Sequence, residues 1–190
     1  MSRTDIVKND KKTIRAWAIF DWANSAYALV ISTAVFPIYY NSITDETVKV
    51  FGSEVSNGAV YSFAITLAYI LIGSLSPLLS GIADYSGKRL YFLKIFTVVG
   101  SLACIAMFFF EKSSDIWIGI ITFIVATVGF AGSLVFYDSF LPLIATEDQY
   151  DKVSARGFSY GYVGSVILLI FILFMVQKPE VFGINSPTLP

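Results

Sequence analysis

Three ionisable side chains lie where a strongly apolar chain tolerates them poorly. Asp21 lies five residues into an apolar stretch that begins at Ala16, Asp138 lies near the end of another, and Arg156 opens a third. A charge left unpaired in hydrocarbon costs several kcal/mol, so each group must reach the interface, find a partner or change protonation state. Mutual pairing among the three is therefore expected. Hydrogen-bonding side chains accompany them: Asn24 and Ser25 beside Asp21, Tyr137 beside Asp138, and Ser159 and Tyr160 after Arg156. At about 100° per residue, Asn24, Ser25, Ala28, Ser32 and Tyr39 point within about 60° of Asp21, a polar stripe that should face protein or water. The chemistry open to such a set is proton exchange between carboxylates or a change of ion-pair partner. The chain has no histidine, so a proton relay has to use carboxylates. A plain structural role stays open for each: Asp21 reaching the interface or pairing with a cation such as Arg15, and a charge cluster that only holds helices together.

A second constellation is the segment Ser80–Gly81–Ile82–Ala83–Asp84–Tyr85–Ser86–Gly87–Lys88–Arg89. It carries an acid, a glycine three residues later where the backbone is suited to positive φ, and two adjacent cations at the start of the next apolar run. Other chemistry is hard to build. Cys104 is the one cysteine, so neither a disulfide within one chain nor a cysteine metal site is available. No nucleophile and base pair or metal-binding carboxylate set is visible, so no enzyme, cofactor or metal is expected. Glu147, Asp148 and Asp151 read as a solvated loop.

The elements that must position these groups are membrane helices. Hydrophobic residues make up 56% of the 190 and charged residues only 14%, with a mean hydropathy of +0.70, which excludes an ordinary soluble domain. A net charge of -1 gives no reason to expect nucleic acid. Apolar runs at about 16–40, 59–81, 90–110, 116–141 and 156–176 each approach the roughly 20 residues needed to cross a bilayer as a helix. They lack the period-2 alternation of barrel strands. Residues 1–15 form a polar N-terminal tail, 16–176 the bundle and 177–190 a polar C-terminal tail. The first run is too long for a signal peptide core. Gly157, Gly161 and Gly164, and Gly129 with Gly132 and Ser133, form small-residue faces for close helix approach.

Orientation follows from the cations. With the N-terminus inside, Arg3, Lys8, Lys11, Lys12, Arg15, Lys88, Arg89, Lys94, Lys152 and Arg156 fall on the inner side, and only Lys49, Lys112 and Lys178 on the outer. Trp17 and Trp22 then sit toward the inner interface and Trp117 at the outer one.

The segment Ser80–Arg89 resembles the signature loop of the major facilitator superfamily, G-x-L-A-D-R-x-G-R-K. Asp84, Gly87, Lys88 and Arg89 fit their positions, whereas Ser80 takes the place of the leading glycine, with Gly81 one residue later, and Tyr85 replaces a basic residue. Three further stretches are similar to the vacuole-effluxer-like branch, the autophagy-related amino-acid exporters and their bacterial relatives. They are Asp21–Trp22–Ala23–Asn24–Ser25–Ala26–Tyr27 with Phe36–Pro37–Ile38–Tyr39, Phe136–Tyr137–Asp138–Ser139–Phe140–Leu141–Pro142, and Ser154–Ala155–Arg156–Gly157 with Gly161–Tyr162–Val163–Gly164.

The resemblance implies an all-α polytopic membrane protein, the first five transmembrane helices of the N-terminal half of a major-facilitator-type bundle, cut before a sixth. It implies a secondary transporter of a small polar solute, plausibly amino acids, in the plasma membrane of a bacterium, with proton coupling. Its partners would be the lipid bilayer, the solute and a C-terminal half of the same protein. Asp21, Asn24, Ser25, Tyr137, Asp138, Arg156 and Tyr160 would line the solute or proton pathway. Ser80, Gly81, Asp84, Gly87, Lys88 and Arg89 would form a cytoplasmic gate loop, with Asp84 capping a helix end or pairing with a cation across the two halves. A half-transporter acting as a homodimer and a non-transporting membrane subunit are the alternatives.

Overall fold

The computed structural model describes residues 7–50 and 52–183, and of Asp84 the backbone alone. Among the described residues five helices are long and apolar enough to cross a membrane. The first, α1, runs Lys11–Ile43 and is α-helical over Lys11–Ala26 and Phe36–Ile43, with a π-helical stretch over Tyr27–Val35 between them. A short antiparallel hairpin follows, β1 Thr47–Val50 and β2 Ser53–Ser56, paired Thr47 to Ser56 and Val50 to Ser53. Then come α2 Asn57–Ser86, α3 Arg89–Ala106, α4 Ile116–Asp138 and α5 Tyr150–Gln177. The protein is therefore an all-helical polytopic membrane bundle apart from that hairpin.

The centre of the bundle is α4. In its most apolar window 44% of residues are buried, against 17% in each other helix, because α2 and α3 pack against one flank while α1, itself packed on α5, meets the other through Trp17, Asn24 and Tyr27. In lipid there is no hydrophobic gain from bringing two apolar helices together, so close approach depends on small residues. Gly129 of α4 lies directly on Gly100 of α3, and Gly132 lies under the Phe96 ring. On the other flank, Gly157, Gly161 and Gly164 of α5 admit Trp17, Ser25 and Trp22 of α1. Large side chains left outside, such as Leu78, Ile105, Phe108 and Ile170, are exposed and suit a lipid surface.

One end of the bundle gathers the start of α1, the α2–α3 turn and the α4–α5 connection. Asn9, at φ 63, donates its backbone N–H to Ile144 O at 2.7 Å, and its side chain exchanges hydrogen bonds with Thr146. Asp10 caps α1 by accepting from the Thr13 hydroxyl at 2.7 Å and the Thr13 N–H at 2.8 Å. Those bonds hold its carboxyl below the ordinary value of 3.8, so the cap is ionised and intact at neutral pH. The opposite end carries the hairpin and an aromatic cluster of Phe36, Tyr40, Tyr61, Phe110 and Phe123. Phe36 stacks on Phe123 at 4.5 Å, and the Tyr39 hydroxyl donates to Phe110 O at 2.6 Å.

Several boundaries differ from those read in the sequence. Helix α2 continues past Gly81 to Ser86, so Ser80 to Ser86 is helix and the connection is Gly87 and Lys88 alone. Gly87 takes φ 67, and its N–H and that of Lys88 both return to Ala83 O, a left-handed helix stop that glycine adopts without steric cost. Glu147–Gln149 is a 3-10 turn and helix α5 begins at Tyr150, so Asp151, expected in a solvated loop, lies in the first turn of a helix. The polar stretch after α1 contains the hairpin, whose Val48 and Val55 side chains turn toward the aromatic cluster.

Candidate functional site

Asp21 lies at the seam between α1 and α5, where its side chain is 4% exposed. Its position follows from the glycine face of α5. A Cβ on Gly161 would stand 2.5 Å from Ser25 Oγ and 3.2 Å from Asp21 Oδ2, so only a glycine lets α1 bring both groups against the α5 backbone. Ser25, one turn along, donates its hydroxyl to Asp21 Oδ1 at 3.1 Å. Among the described residues no lysine or arginine forms an ion pair with this carboxylate. A buried carboxylate with one neutral donor is costly to keep charged, which ties its proton occupancy to any movement that changes its exposure.

Tyr137 is the second buried member, also 4% exposed. Its ring stacks on Trp17 at 4.2 Å and on Phe20 at 5.4 Å. Trp17 also donates its indole N–H to Tyr137 O at 3.1 Å, tying α1 to the end of α4. The Tyr137 hydroxyl has no hydrogen-bond partner among the described residues. It lies above Gly157, where a Cβ would be 2.7 Å from it. Asp138, the next residue, is exposed.

Asn24 and Arg156 go elsewhere. Asn24 faces α4, accepting from Ser133 Oγ at 3.1 Å, while its Nδ2 is buried without a partner among the described residues. It borders a mostly apolar groove of about 380 Å3 between α1, α3 and α4. Arg156 is exposed and places its guanidinium over the Tyr160 ring at 5.8 Å, and Tyr160 meets Trp22 edge-on at 6.3 Å. Arg156 and Tyr160 thus form a surface aromatic and cation group beside the seam, and the ion pairs expected between Arg156 and the two acids are not made. The reason is helical phase: Arg156 precedes Gly157 by one residue, about 100° round α5, so it turns away when Gly157 faces α1.

The polar stripe expected along α1 also divides. Asp21 and Ser25 face α5, Asn24 faces α4, and Tyr39 faces Phe110. Extrapolation at 100° per residue fails beyond Ala26 because the π-helical stretch changes the phase. Within that stretch Thr33 Oγ1 donates to Ala28 O at 2.7 Å, and the Tyr27 hydroxyl pairs with Thr127 Oγ1 at 2.7 Å, binding mid-α1 to α4. Above Gly161 a second groove of about 310 Å3 is bordered by Ser25, Thr33, Tyr162 and Ser165.

In the α2–α3 turn, Ser80 is half-buried, Gly81 and Lys88 are exposed, and Arg89 donates from Nη1 to Ser139 O at 3.1 Å, satisfying a carbonyl at the end of α4. The side chain of Asp84 lies outside the described residues. No group of three or more His, Cys, Asp or Glu is placed to hold a metal among the described residues. Trp17 joins the site although the polar stripe does not include it; it lies one turn before Asp21 on the same face, a spacing that could have found it.

The structure thus defines a polytopic membrane bundle with a buried acid at a glycine-lined helix seam. Residues 9–188 match the family described as vacuole effluxer Atg22 like, and the chain belongs to that family of membrane transporters. It is 37% identical over 166 residues to the uncharacterized MFS-type transporter YxiO of Bacillus subtilis (strain 168), an alignment covering 87% of this chain and 38% of the relative. An uncharacterized protein of Aquifex aeolicus (strain VF5) is 25% identical over 96% of this chain and 43% of its own length. Autophagy-related protein 22 of Neurospora crassa is 30% identical over 60% of this chain and 16% of its own length. The chain thus spans about two fifths of the length of the first two curated relatives. No solved structure gives a significant match.

Proposed function

We propose that the full protein is a secondary transporter that carries a small polar solute of the amino-acid class across a bacterial plasma membrane by alternating access, with proton movement coupled through Asp21. The observation that carries this reading is the burial of Asp21 at the α1–α5 seam with Ser25 as its one described donor. A carboxylate so placed changes its affinity for a proton whenever the seam opens to water, and rocking of one helical half against another supplies such a change. The relatives' extra length leaves room for a second half. The N-terminus lies inside in this reading, because the cation-rich start of α1, the α2–α3 turn and the α4–α5 connection share one end of the bundle. Arg89 anchors the α2–α3 turn to the end of α4, and the turn meets the other half from there as a gate.

The test uses full-length protein in proteoliposomes with an equimolar mixture of radiolabelled amino acids. A pH gradient is expected to drive accumulation. Asp21→Asn is expected to abolish that accumulation and to retain counterflow exchange within about twofold. Gradient-driven accumulation by Asp21→Asn at the wild-type level would remove Asp21 from coupling, and no transport of the mixture by the wild type would remove the solute class.

A further inference from the structure

We propose that the groove above Gly161 takes the ammonium end of the solute, held by Ser25 Oγ and the charge of Asp21 between the rings of Phe158 and Tyr162. The proposal rests on the reading of the protein as a carrier of amino-acid-class solutes, and it names which end of such a solute meets the α1–α5 seam.

The floor of the groove can only accept hydrogen bonds. The groove holds about 310 Å3, and both Ser25 and Gly161 border it. The position that a Cβ would take on Gly161 is 2.5 Å from Ser25 Oγ and 3.2 Å from Asp21 Oδ2, so both oxygens lie against that glycine. Ser25 gives its one hydroxyl proton to Asp21 Oδ1 at 3.1 Å, which leaves its oxygen as an acceptor. A hydroxyl that donates to a carboxylate accepts more strongly from a third group, so the pair favours a positively charged N–H donor. Two further hydroxyls on the groove are committed in the same sense. Thr33 donates to Ala28 O at 2.7 Å and Ser165 to Gly161 O at 2.8 Å. No lysine or arginine is among the residues that border the groove, so nothing there already neutralises the acid.

The walls suit the same group. Phe158 and Tyr162 stand on either side of Gly161 along α5, 63% and 71% exposed, and neither has a ring or hydrogen-bond partner among the described residues. Aromatic faces attract an ammonium within about 6 Å. Tyr162 also lies about 9 Å further into the span than Arg156, where a hydroxyl turned to hydrocarbon would be left unsatisfied. This side of the seam therefore opens to water or solute. Beyond Ser25 the groove follows Ala28 and Leu29 to Thr33, no more than about 12 Å along α1, which gives an apolar wall for a short carbon chain. With no cation on the groove, the carboxylate of the solute lies outside it.

The experiment reads the melting temperature of full-length protein in detergent with butylammonium chloride, which has the amine and a short chain but no carboxylate, and with sodium butyrate, its anionic counterpart. At saturation butylammonium is expected to raise the melting temperature by several degrees, and butyrate to leave it unchanged. Each variant is compared with its own unliganded melting temperature. Ser25→Ala and Tyr162→Leu are expected to need at least tenfold more butylammonium for half of the shift, whereas Tyr162→Phe, which keeps the ring, stays within about twofold of the wild type. No shift with butylammonium, an equal shift with butyrate, or a wild-type response in either Ser25→Ala or Tyr162→Leu would overturn the proposal. The solute class is judged separately in proteoliposomes. Amino-acid transport without butylammonium binding would keep that class and remove this subsite, and butylammonium binding that the variants lose, without amino-acid transport, would keep the subsite and assign it to another amine.

Discussion

Gly129→Ala is expected to force α3 and α4 apart and to be among the most damaging single substitutions in the bundle. The added methyl would fall on Gly100 Cα, 2.7 Å from Gly100 N and 2.9 Å from Phe96 O. All three are backbone atoms of α3, so no side chain can rotate to make room, and the helix as a whole has to move. Overpacking of a filled core costs about 1–3 kcal/mol, and a rigid obstacle belongs at the upper end. The reciprocal change should be milder, since a methyl on Gly100 stands 3.2 Å from Gly129 Cα. Gly73, where a methyl would meet nothing within 4 Å, provides the control and should change stability by less than about 0.5 kcal/mol. Melting temperatures of the three variants should therefore fall in the order Gly129, Gly100, Gly73 from most to least affected. Equal melting of the Gly129 and Gly73 variants would show that α3 and α4 do not meet as described.

The second large effect is expected at Gly161, and there it should appear in coupling as well as stability. A methyl at Gly161 stands 2.5 Å from Ser25 Oγ, a group that can rotate away. Rotation, however, removes the hydrogen bond that Ser25 gives to Asp21 Oδ1, and stranding a buried carboxylate in this way costs about 1–3 kcal/mol or more. Gly161→Ala therefore has two ways to relax, a wider seam or an unsatisfied Asp21, and each disturbs the proposed proton site. At least a tenfold fall in gradient-driven accumulation is expected. Adding Ser25→Ala should relieve the clash and recover part of the melting temperature, while coupling stays low because Asp21 still lacks its donor. Full recovery of coupling in the double variant would mean that the seam's width, and not the hydrogen bond, matters.

Much of this arrangement was legible in the residues. The five apolar runs are long and bounded by polar segments, so the number of spanning helices is readable, and Asp21 stands out because a carboxylate inside such a run needs a reason. The spacing Gly157, Gly161, Gly164 signals a close helix contact, and the structure adds which neighbour fills it. Helix ends were harder. Asp84, Tyr85 and Ser86 look like a loop by polarity, yet a helix continues into water as long as its backbone bonds are made, and here only the left-handed Gly87 stops it. The hairpin was hidden because Thr47–Val50 and Ser53–Ser56 are short and mostly polar. The π-helical stretch had no residue signature at all: Tyr27–Val35 is as apolar and β-branched as an ordinary membrane helix. That change of phase is why Tyr39 faces Phe110, whereas Asn24 parts from Asp21 and Ser25 within the regular helix, where a stripe this wide touches two neighbours at once. The fate of Arg156 illustrates a different limit, because depth in the membrane is readable from position along a helix, whereas direction around it depends on which neighbours pack where.

The π-helical stretch also makes the winding of α1 a constraint in itself. Its two α-helical ends are held by unrelated contacts, Asp21 against Gly161 at one end and the Tyr40 hydroxyl on Asn57 O at 2.9 Å at the other. Rewinding Tyr27–Val35 as regular α-helix at the same length would turn each of its residues further and so rotate one end relative to the other. Asp21 would then leave its glycine or Tyr40 would leave its carbonyl. The wider winding of this stretch, more than the identity of its residues, keeps the two ends of the helix in register.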